Sequence, residues 1–509
     1  MTSAWIFTIA ITVLGAAGAE SHPDARGAIV RSFPAGEPQF FVDDYFVDNR
    51  FNENSISAKV VQRAMPGKRA EAPLMAPDAD KPWELSAGVG YISVVFDPRV
   101  QRFRLYYQVW NPRGEVGGLP TYVTCYAESK DGLHWEKPLF DLVPFEGRNS
   151  NILMIGDAEA KAPTVHLAET AGELADGTPV RNLGMLPEKA LRGNPYLMYY
   201  CDGAHYLATS EDGLAWTLKQ EKLIPNRVDC FMTLVHDDVR DEYCMFYRNK
   251  LIYHDSKDPL LRGNTRMMAR IASAELWTLW DGMPTTVLLP DEADHGRFYN
   301  MPVFKYGGVY WGFLEQFNED PELIEVELAF SRDGFDWGRL PSRPRLIPVG
   351  EDGTWDGGMT FAADRVIEVG DEWWLYYSAY DGYHNEKDRI GKLGLVRFGK
   401  ERFVGIKSDP DGKTSYVVTR PLLWPGGDLV INANAAGGSM KVRVTDLDRT
   451  VLDGLTWEAC TPLEEDKTRH TVAWDGGSMA GLEGKLVRLE FEFEDADLFT
   501  FMADGGGNP

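Results

Sequence analysis

Through the middle of the chain, apolar and polar residues alternate in short runs that stop at turn-forming residues, the period-two signature of half-buried strands. Five of these runs are strongly aromatic: Phe103–Tyr107, Tyr196–Tyr200, Tyr243–Tyr247, Tyr310–Phe313 and Trp373–Tyr377. Aromatic side chains pack well on a pleated surface, so each predicts a strand. Another β-like run and a turn precede each one, as in Tyr91–Asp97 or Met301–Lys305.

Three further segments read A-x-S-x-D-G-x-x-W: Ala127–Trp135, Ala208–Trp216 and Ala329–Trp337, with a degenerate copy at Ser273–Trp277. The Asp-Gly pair predicts a tight hairpin, because Gly accepts positive φ and Asp bonds the turn backbone. The Trp begins the next strand and fills a gap between sheets. The repeating unit is therefore strand, turn, aromatic strand, connection, strand, Asp-Gly turn, strand. Five copies predict the blades of a β-propeller, near residues 84–140, 150–224, 228–290, 297–348 and 355–407. The fifth lacks the Asp-Gly-Trp hairpin, and the early strand Gln39–Phe46 is expected to close the ring against it.

After about residue 410 the aromatic repeat stops. New strand candidates follow at Tyr416–Leu423, Leu429–Ala433, Met440–Val444 and Leu486–Phe501. The expected class is all-β: a five-bladed β-propeller over 38–410 followed by a C-terminal β-sandwich over 411–503. A length of 509 residues agrees with two domains, since it exceeds what one core usually supports.

Charge narrows the partners. Asp and Glu number 77 against 52 Lys and Arg, for a formal charge of −25. A field of that sign repels phosphate backbones and anionic headgroups, which excludes nucleic acid and membrane surfaces as natural partners. At the N-terminus the apolar run Trp5–Leu14 is short for a bilayer span and is followed by Ala17-Gly18-Ala19. Although no Lys or Arg precedes the run, this predicts a signal peptide over residues 1–19 and a secreted or periplasmic protein. No later segment predicts membrane insertion. The five cysteines, Cys125, Cys201, Cys230, Cys244 and Cys460, are odd in number and show no C-x-x-C spacing, so buried free thiols are expected.

Propeller topology supplies a filter for chemistry. The start of each innermost strand and the end of each second strand lie on one face, around a central channel. Starts supply Trp83, Glu84, Asp229, Arg297, Asn300, Trp355 and Asp356. Ends supply Trp110, Asn111, Asp202, Arg248, Asn249, Glu315, Tyr380 and Asp381, with His384 nearby. Six carboxylates, Glu84, Asp202, Asp229, Glu315, Asp356 and Asp381, are thereby expected at one mouth beside aromatic rings. Carboxylates with aromatics suit cleavage of a glycosidic bond: one acid protonates the leaving oxygen, and a second attacks or activates water. Like charges held together raise one pKa and keep that acid protonated.

A lone Asp or Glu at a strand end is ordinarily a turn former, and the Asp131, Asp212 and Asp333 turns are structural on this reading. Glu315 is sharper, since it ends an aromatic strand and precedes Gln316-Phe317. The catalytic candidates are Glu84, Asp229, Glu315 and Asp356. The substrate-binding candidates are Trp83, Trp110, Asp202, Arg248, Asn300, Trp355, Asp381 and His384. Arg248 suits a carboxylate or sulfate on a substrate, or a catalytic acid. His384 is read as a polar wall residue. No metal-ligand spacing is present and no cofactor is expected, although a hydrated calcium in the channel would leave little trace.

With its A-x-S-x-D-G-x-x-W hairpins and five-fold repeat, the chain resembles the five-bladed propeller glycoside hydrolases, the invertase-like and arabinanase- and xylosidase-like enzymes. The resemblance implies three acids around the channel. By blade position, Glu84 or Asp43-Asp44 matches the nucleophile or base, Asp229 the positioning acid, and Glu315 or Asp356 the general acid. The W-x-N-D-P-N-G, R-D-P and E-C motifs of the invertase group are absent, the nearest string being Val228-Asp229-Cys230, which implies a divergent branch. The expected function is a secreted hydrolase of poly- or oligosaccharides. The alternatives are a sialidase-like hydrolase and a propeller that binds carbohydrate without cleaving it.

Overall fold

In the computed structural model, the residues described are 21–23, 29–48, 61–85, 88–111, 118–154, 160–224, 231–253, 263–294, 296–410, 412 and 414–505. The apolar run at 5–14 lies outside them, as do Asp229 and Cys230. The all-β class is borne out. Among the described residues only the helix Glu188–Leu191 and the 3₁₀ turns Pro82–Glu84 and Ala480–Leu482 interrupt the strands.

The aromatic runs become the second strands of five antiparallel meanders. The first sheet orders Val89–Asp97, Arg102–Trp110 and Tyr122–Ser129, with Trp135–Glu136 and Ile152–Met154 on its outer edge. The second runs Lys161–Leu167, Tyr196–Cys201, His205–Ser210, Thr217–Leu218, and the third Thr233–Asp237, Glu242–Tyr253, Gly263–Ser273, Thr285–Leu288. In the fourth, Gly296–Asn300 and Val303–Tyr306 share the partner Val309–Glu319, which pairs with Glu322–Ser331. In the fifth, Met359–Ala362 and Ile367–Val369 share Glu372–Tyr380, which pairs with Gly391–Gly399.

The repeated hairpin shows why its sequence is so strict. In each copy the Ser hydroxyl accepts the Gly amide at 2.9 Å. One Asp carboxylate oxygen accepts the next two amides at 2.8–2.9 Å. The Gly adopts φ +76° in all three, a left-handed conformation that favours glycine. The finished turn then docks on a neighbouring sheet. Tyr106 of the first sheet donates to the Gly213 carbonyl at 2.9 Å, Tyr376 of the fifth to Gly132 at 3.0 Å, and Arg240 of the third to Asp333 at 3.1 Å. Elsewhere, Tyr199 and Leu197 of the second sheet share a core with Met245 and Tyr247 of the third. Ile324 of the fourth pairs in parallel with Met359 of the fifth.

Two six-stranded sheets enclose a separate core, with Trp424, Ile431, Val442, Leu489, Phe491 and Phe501 buried between them. Early strands belong here. Ile29–Ser32 pairs in parallel with Leu422–Leu423, Gln39–Phe40 with Thr500–Phe501, and Val61–Ala64 with Val404–Lys407. Three expectations are corrected. Gln39–Phe40 does not edge the fifth sheet; Lys68–Arg69 does, against Val396–Arg397. Val404–Lys407, expected to end that sheet, pairs instead with Val61–Ala64 and with Asp497–Leu498. Ile152–Met154, placed in the second unit, closes the first. Alternation fixes which face of a strand is buried but not which distant segment supplies its edge.

The fourth sheet and this unit meet at Glu401, which is fully buried and accepts bonds from Arg469 (2.6 and 2.8 Å), Tyr306 (3.0 Å) and Thr500 (3.3 Å). Burial pushes its pKa up, but the Arg469 bonds and charge outweigh this and hold it below the usual carboxylate value.

A Cβ on Gly132 would lie 2.5 Å from the Tyr376 hydroxyl and 2.8 Å from the Trp374 ring, whereas one on Gly193 (φ +79°) meets nothing within 4 Å. Gly193→Ala should therefore cost about 1 kcal/mol for backbone strain alone, and Gly132→Ala more than about 3 kcal/mol. Thermal melts of the two variants check this, with Gly132→Ala melting well below Gly193→Ala.

Candidate active site

A cavity of 280 Å³ opens where the first, second, fourth and fifth sheets meet. Tyr91 and Phe361 enter it from innermost strands, and Gln108, Trp110 and Tyr380 from the ends of second strands. These are the positions that strand order predicts for a shared mouth. The rings form one surface. Tyr91 stacks on Phe231 at 5.1 Å, and Phe361 meets Tyr91, Tyr299 and Tyr380 edge-on at 5.5–5.8 Å. Trp110 stacks on Tyr122 at 6.5 Å. Lys161, His384 and Arg389 supply most of the polar lining.

Glu315 stands opposite Asn300 in the strand register. Both are fully buried, and neither side chain makes a hydrogen bond among the described residues. Such groups are costly in a folded chain and call for a partner. Burial, opposed by the charge of Arg248, drives the Glu315 pKa well above the usual carboxylate value, which favours the protonated acid. Arg248 connects this acid to the cavity: its Nη1 donates to the Tyr299 carbonyl at 3.2 Å, and its guanidinium lies 4.9 Å from the Tyr299 ring centre.

Tyr299 also heads a polar chain. Its hydroxyl lies 3.1 Å from His384 Nε2, and His384 Nδ1 lies 2.9 Å from Glu322. Burial lowers the His384 pKa, against the raising effect of the Glu322 bond, so the ring is neutral near pH 7. A carboxylate only accepts, so Nδ1 carries the proton and Nε2 accepts from the Tyr299 hydroxyl. Deeper on the Tyr91 face, Ser93 donates to the buried Asp364 at 3.2 Å, and Arg365 Nε bonds the same carboxylate at 3.0 Å. Burial raises the Asp364 pKa, opposed by Arg365 and Ser93.

The structure gathers Trp110, Arg248, Asn300, Glu315 and His384 in and around this cavity. Other candidates sit elsewhere. Glu84 is buried on a 3₁₀ turn and accepts from Tyr107, Lys137 (2.5 Å) and the Asp78 amide (3.1 Å). Beside it, Trp83 donates to Asn151 at 2.7 Å and packs on Phe145. Asp356 pairs with Arg69 and Thr354, while Trp355 stacks on Tyr377. Asp202 lies in a turn closed by its amide onto the Ala204 carbonyl. Asp381 accepts the Ile390 amide at 2.8 Å, tying off the loop that carries His384 and Arg389. Of the six carboxylates expected at one mouth, the five described do not line the cavity, and Asp229 lies outside the described residues. Glu84, Asp356 and Asp381 are bonded to partners of their own. Strand order places a backbone at the mouth, but a short acidic side chain takes the nearest cation or amide.

Sequence reasoning missed Tyr91, Lys161, Tyr299, Glu322, Phe361 and Arg389. Tyr299 lay between two residues already singled out, Arg297 and Asn300, and adjacency to Asn300 was the available signal. Cys125, Cys244 and Cys460 are buried free thiols, as expected, and Cys201 is buried. Among the described residues no group of three His, Cys, Asp or Glu could hold a metal ion, and no helix is long and apolar enough to cross a membrane.

No family model matches the sequence, and no curated protein matches it significantly. Solved structures give likenesses. One titled "Glycoside hydrolase" is 15% identical with a TM-score of 0.44, over 65% of this chain and 93% of that one. A putative glycoside hydrolase from Bacteroides ovatus is 14% identical with a TM-score of 0.44, over 67% and 98%. The catalytic domain of a GH62 α-L-arabinofuranosidase from Coprinopsis cinerea is 12% identical with a TM-score of 0.42, over 66% and 97%.

A raised folded-state pKa means that the Glu315 contribution to stability is present below the unfolded value near 4.5 and is lost as pH rises toward the folded value. Glu315→Gln removes that loss. The variant should melt higher than the parent, by a margin that widens from pH 5 to pH 8, in thermal melts across a pH series.

Proposed function

We propose that the chain is a secreted or periplasmic glycoside hydrolase, acting on a poly- or oligosaccharide with side-chain acids and without a cofactor. The five meanders are the blades of a propeller over about 38–410, and the two later sheets form a β-sandwich over about 411–503, joined by the early strands. Neighbour contacts that run from sheet to sheet, including the fifth-to-first contact at Gly132, support the blade assignment.

One observation carries the catalytic reading: the Glu315 carboxyl, buried, unbonded and with its pKa raised, is joined through Arg248 and Tyr299 to an aromatic cavity of monosaccharide scale. Aromatic rings stack on the apolar face of a sugar while Gln108 and Lys161 offer hydrogen bonds to hydroxyls. Glu315 then gives its proton to the glycosidic oxygen as the bond breaks, and Arg248 steadies the carboxylate left behind. Asp229, two positions before Phe231, which stacks on the cavity residue Tyr91, is the proposed partner acid. Glu84 and Asp356 keep supporting places in this scheme, holding the edges of the first and fifth sheets.

A binding module without catalysis is favoured by one feature: no Asp or Glu is among the described residues that line the cavity. The two are separated by turnover. On a natural linkage, Glu315→Gln should lower kcat by about 10²–10⁴-fold, the range of general-acid catalysis. On an aryl glycoside with an activated leaving group, which needs no proton, the loss should nearly vanish. Parent activity should fall as pH rises through the Glu315 pKa, since the acid must be protonated. Equal losses on both substrates would remove Glu315 from the acid role, and binding without any sugar release would leave the module reading.

A further inference from the structure

Two cations and no described carboxylate line the cavity of a chain of formal charge −25. Arg389 and Lys161 line it, and Arg248 and Arg266 both lie over the Tyr299 ring, at 4.9 and 5.6 Å. Arg389 is the most informative of these. It is only 9% exposed, and its guanidinium sits 4.6 Å from the Trp110 ring centre and 5.8 Å from that of Tyr380. Its Nη1 donates to the carbonyls of His384, Glu386 and Tyr383, and it pairs with no described carboxylate. Nε is buried without a hydrogen-bond partner. Trp110 in turn stacks on Tyr122, over which Lys161 lies at 4.9 Å, so one pair of rings carries a cation on each member.

A guanidinium withdrawn from water is costly unless an anion accompanies it. Three carbonyls spread over one nitrogen do not supply that charge. The Nε–Nη2 edge remains, the edge that receives two oxygens of a planar or tetrahedral anion side by side. We propose that the cavity recognises a sugar bearing an anionic substituent, a uronate carboxylate or a sulfate ester, which Arg389 holds with Lys161 adding charge. This rests on the carbohydrate reading of the cavity and names the substrate class within it. The acidic surface then has a use in selectivity: polyanions are repelled generally, and a single short acidic sugar is accepted only where the cations lie.

The test titrates the full chain by calorimetry with four probes. These are galacturonate and glucuronate disaccharides, their methyl esters, their carboxyl-reduced neutral counterparts, and a 6-sulfated galactose disaccharide. At low salt, an acidic probe should bind about 30-fold more tightly than its ester or reduced form, the scale of a charge-assisted bond. Carboxylate and sulfate sources are told apart by which acidic probe gains. Arg389→Gln should abolish the preference of acidic over neutral probes. Arg389→Lys should restore only part of it. The ester comparison uses the parent alone, so misfolding of a variant leaves the proposal open to refutation. Equal affinity for acidic and neutral probes, or no binding of any acidic probe, overturns it. So does Arg389→Gln weakening every probe alike, which would make the residue a loop staple. Uronate binding without cleavage supports this proposal and sinks hydrolysis, whereas cleavage of neutral glycosides with no anion preference does the reverse.

Discussion

The assembly depends on a turn of four residues. Each Ser-x-Asp-Gly hairpin satisfies its own amides with its own hydroxyl and carboxylate, leaving carbonyls free to be bonded from outside. An aromatic hydroxyl or an arginine of the adjoining sheet takes that carbonyl, and the glycine has no side chain to keep the sheets apart. Flat sheets would otherwise meet only through apolar rings, which slide. A hydrogen bond at each rim fixes the rotation of one sheet against the next, and so fixes which strand ends meet at the mouth.

That dependence explains what was legible. The hairpin consensus and the aromatic second strands are local signals, and they located five meanders and their inner strands to within a few residues. The edges were not local. Lys68–Arg69 carries no aromatic signature, and only the finished fold shows that it borders Val396–Arg397. The same division runs through the site. Glu315, Asn300 and Arg248 were picked because their strands were expected to end or begin there. Asn300 does end its own, whereas the strands bearing Arg248 and Glu315 run on to Tyr253 and Glu319. Arg389 was not picked, since its position follows from a ten-residue loop tied by Asp381 onto the Ile390 amide. Glu84 and Asp356 misled because their types and places suited catalysis, while Lys137, Tyr107 and Arg69 had already claimed them.

The cavity joins two electrostatic habits in a small space. Loss of water raises the Glu315 pKa, and its neighbour Arg248 lies on an aromatic face. Beside them a neutral His384, oriented by Glu322, accepts the proton of Tyr299. The raised Glu315 pKa and the lowered His384 pKa are not those of the groups in bulk water. Each follows from burial against rings that exclude solvent, so the same rings that offer a stacking surface also set the protonation of the acids and bases around it.

The pairing of Gln39–Phe40 with Thr500–Phe501 joins segments more than four hundred and fifty residues apart. A ribosome completes the fifth sheet's outer edge early, at Lys68–Arg69, but that edge finds its partner only after Gly399 has emerged. Gln39–Phe40 waits longer still, until Thr500–Phe501 is made. Vectorial synthesis therefore leaves a long interval in which the nascent chain presents open sheet edges. A chaperone, or delayed folding across a membrane, would have its greatest effect during that interval.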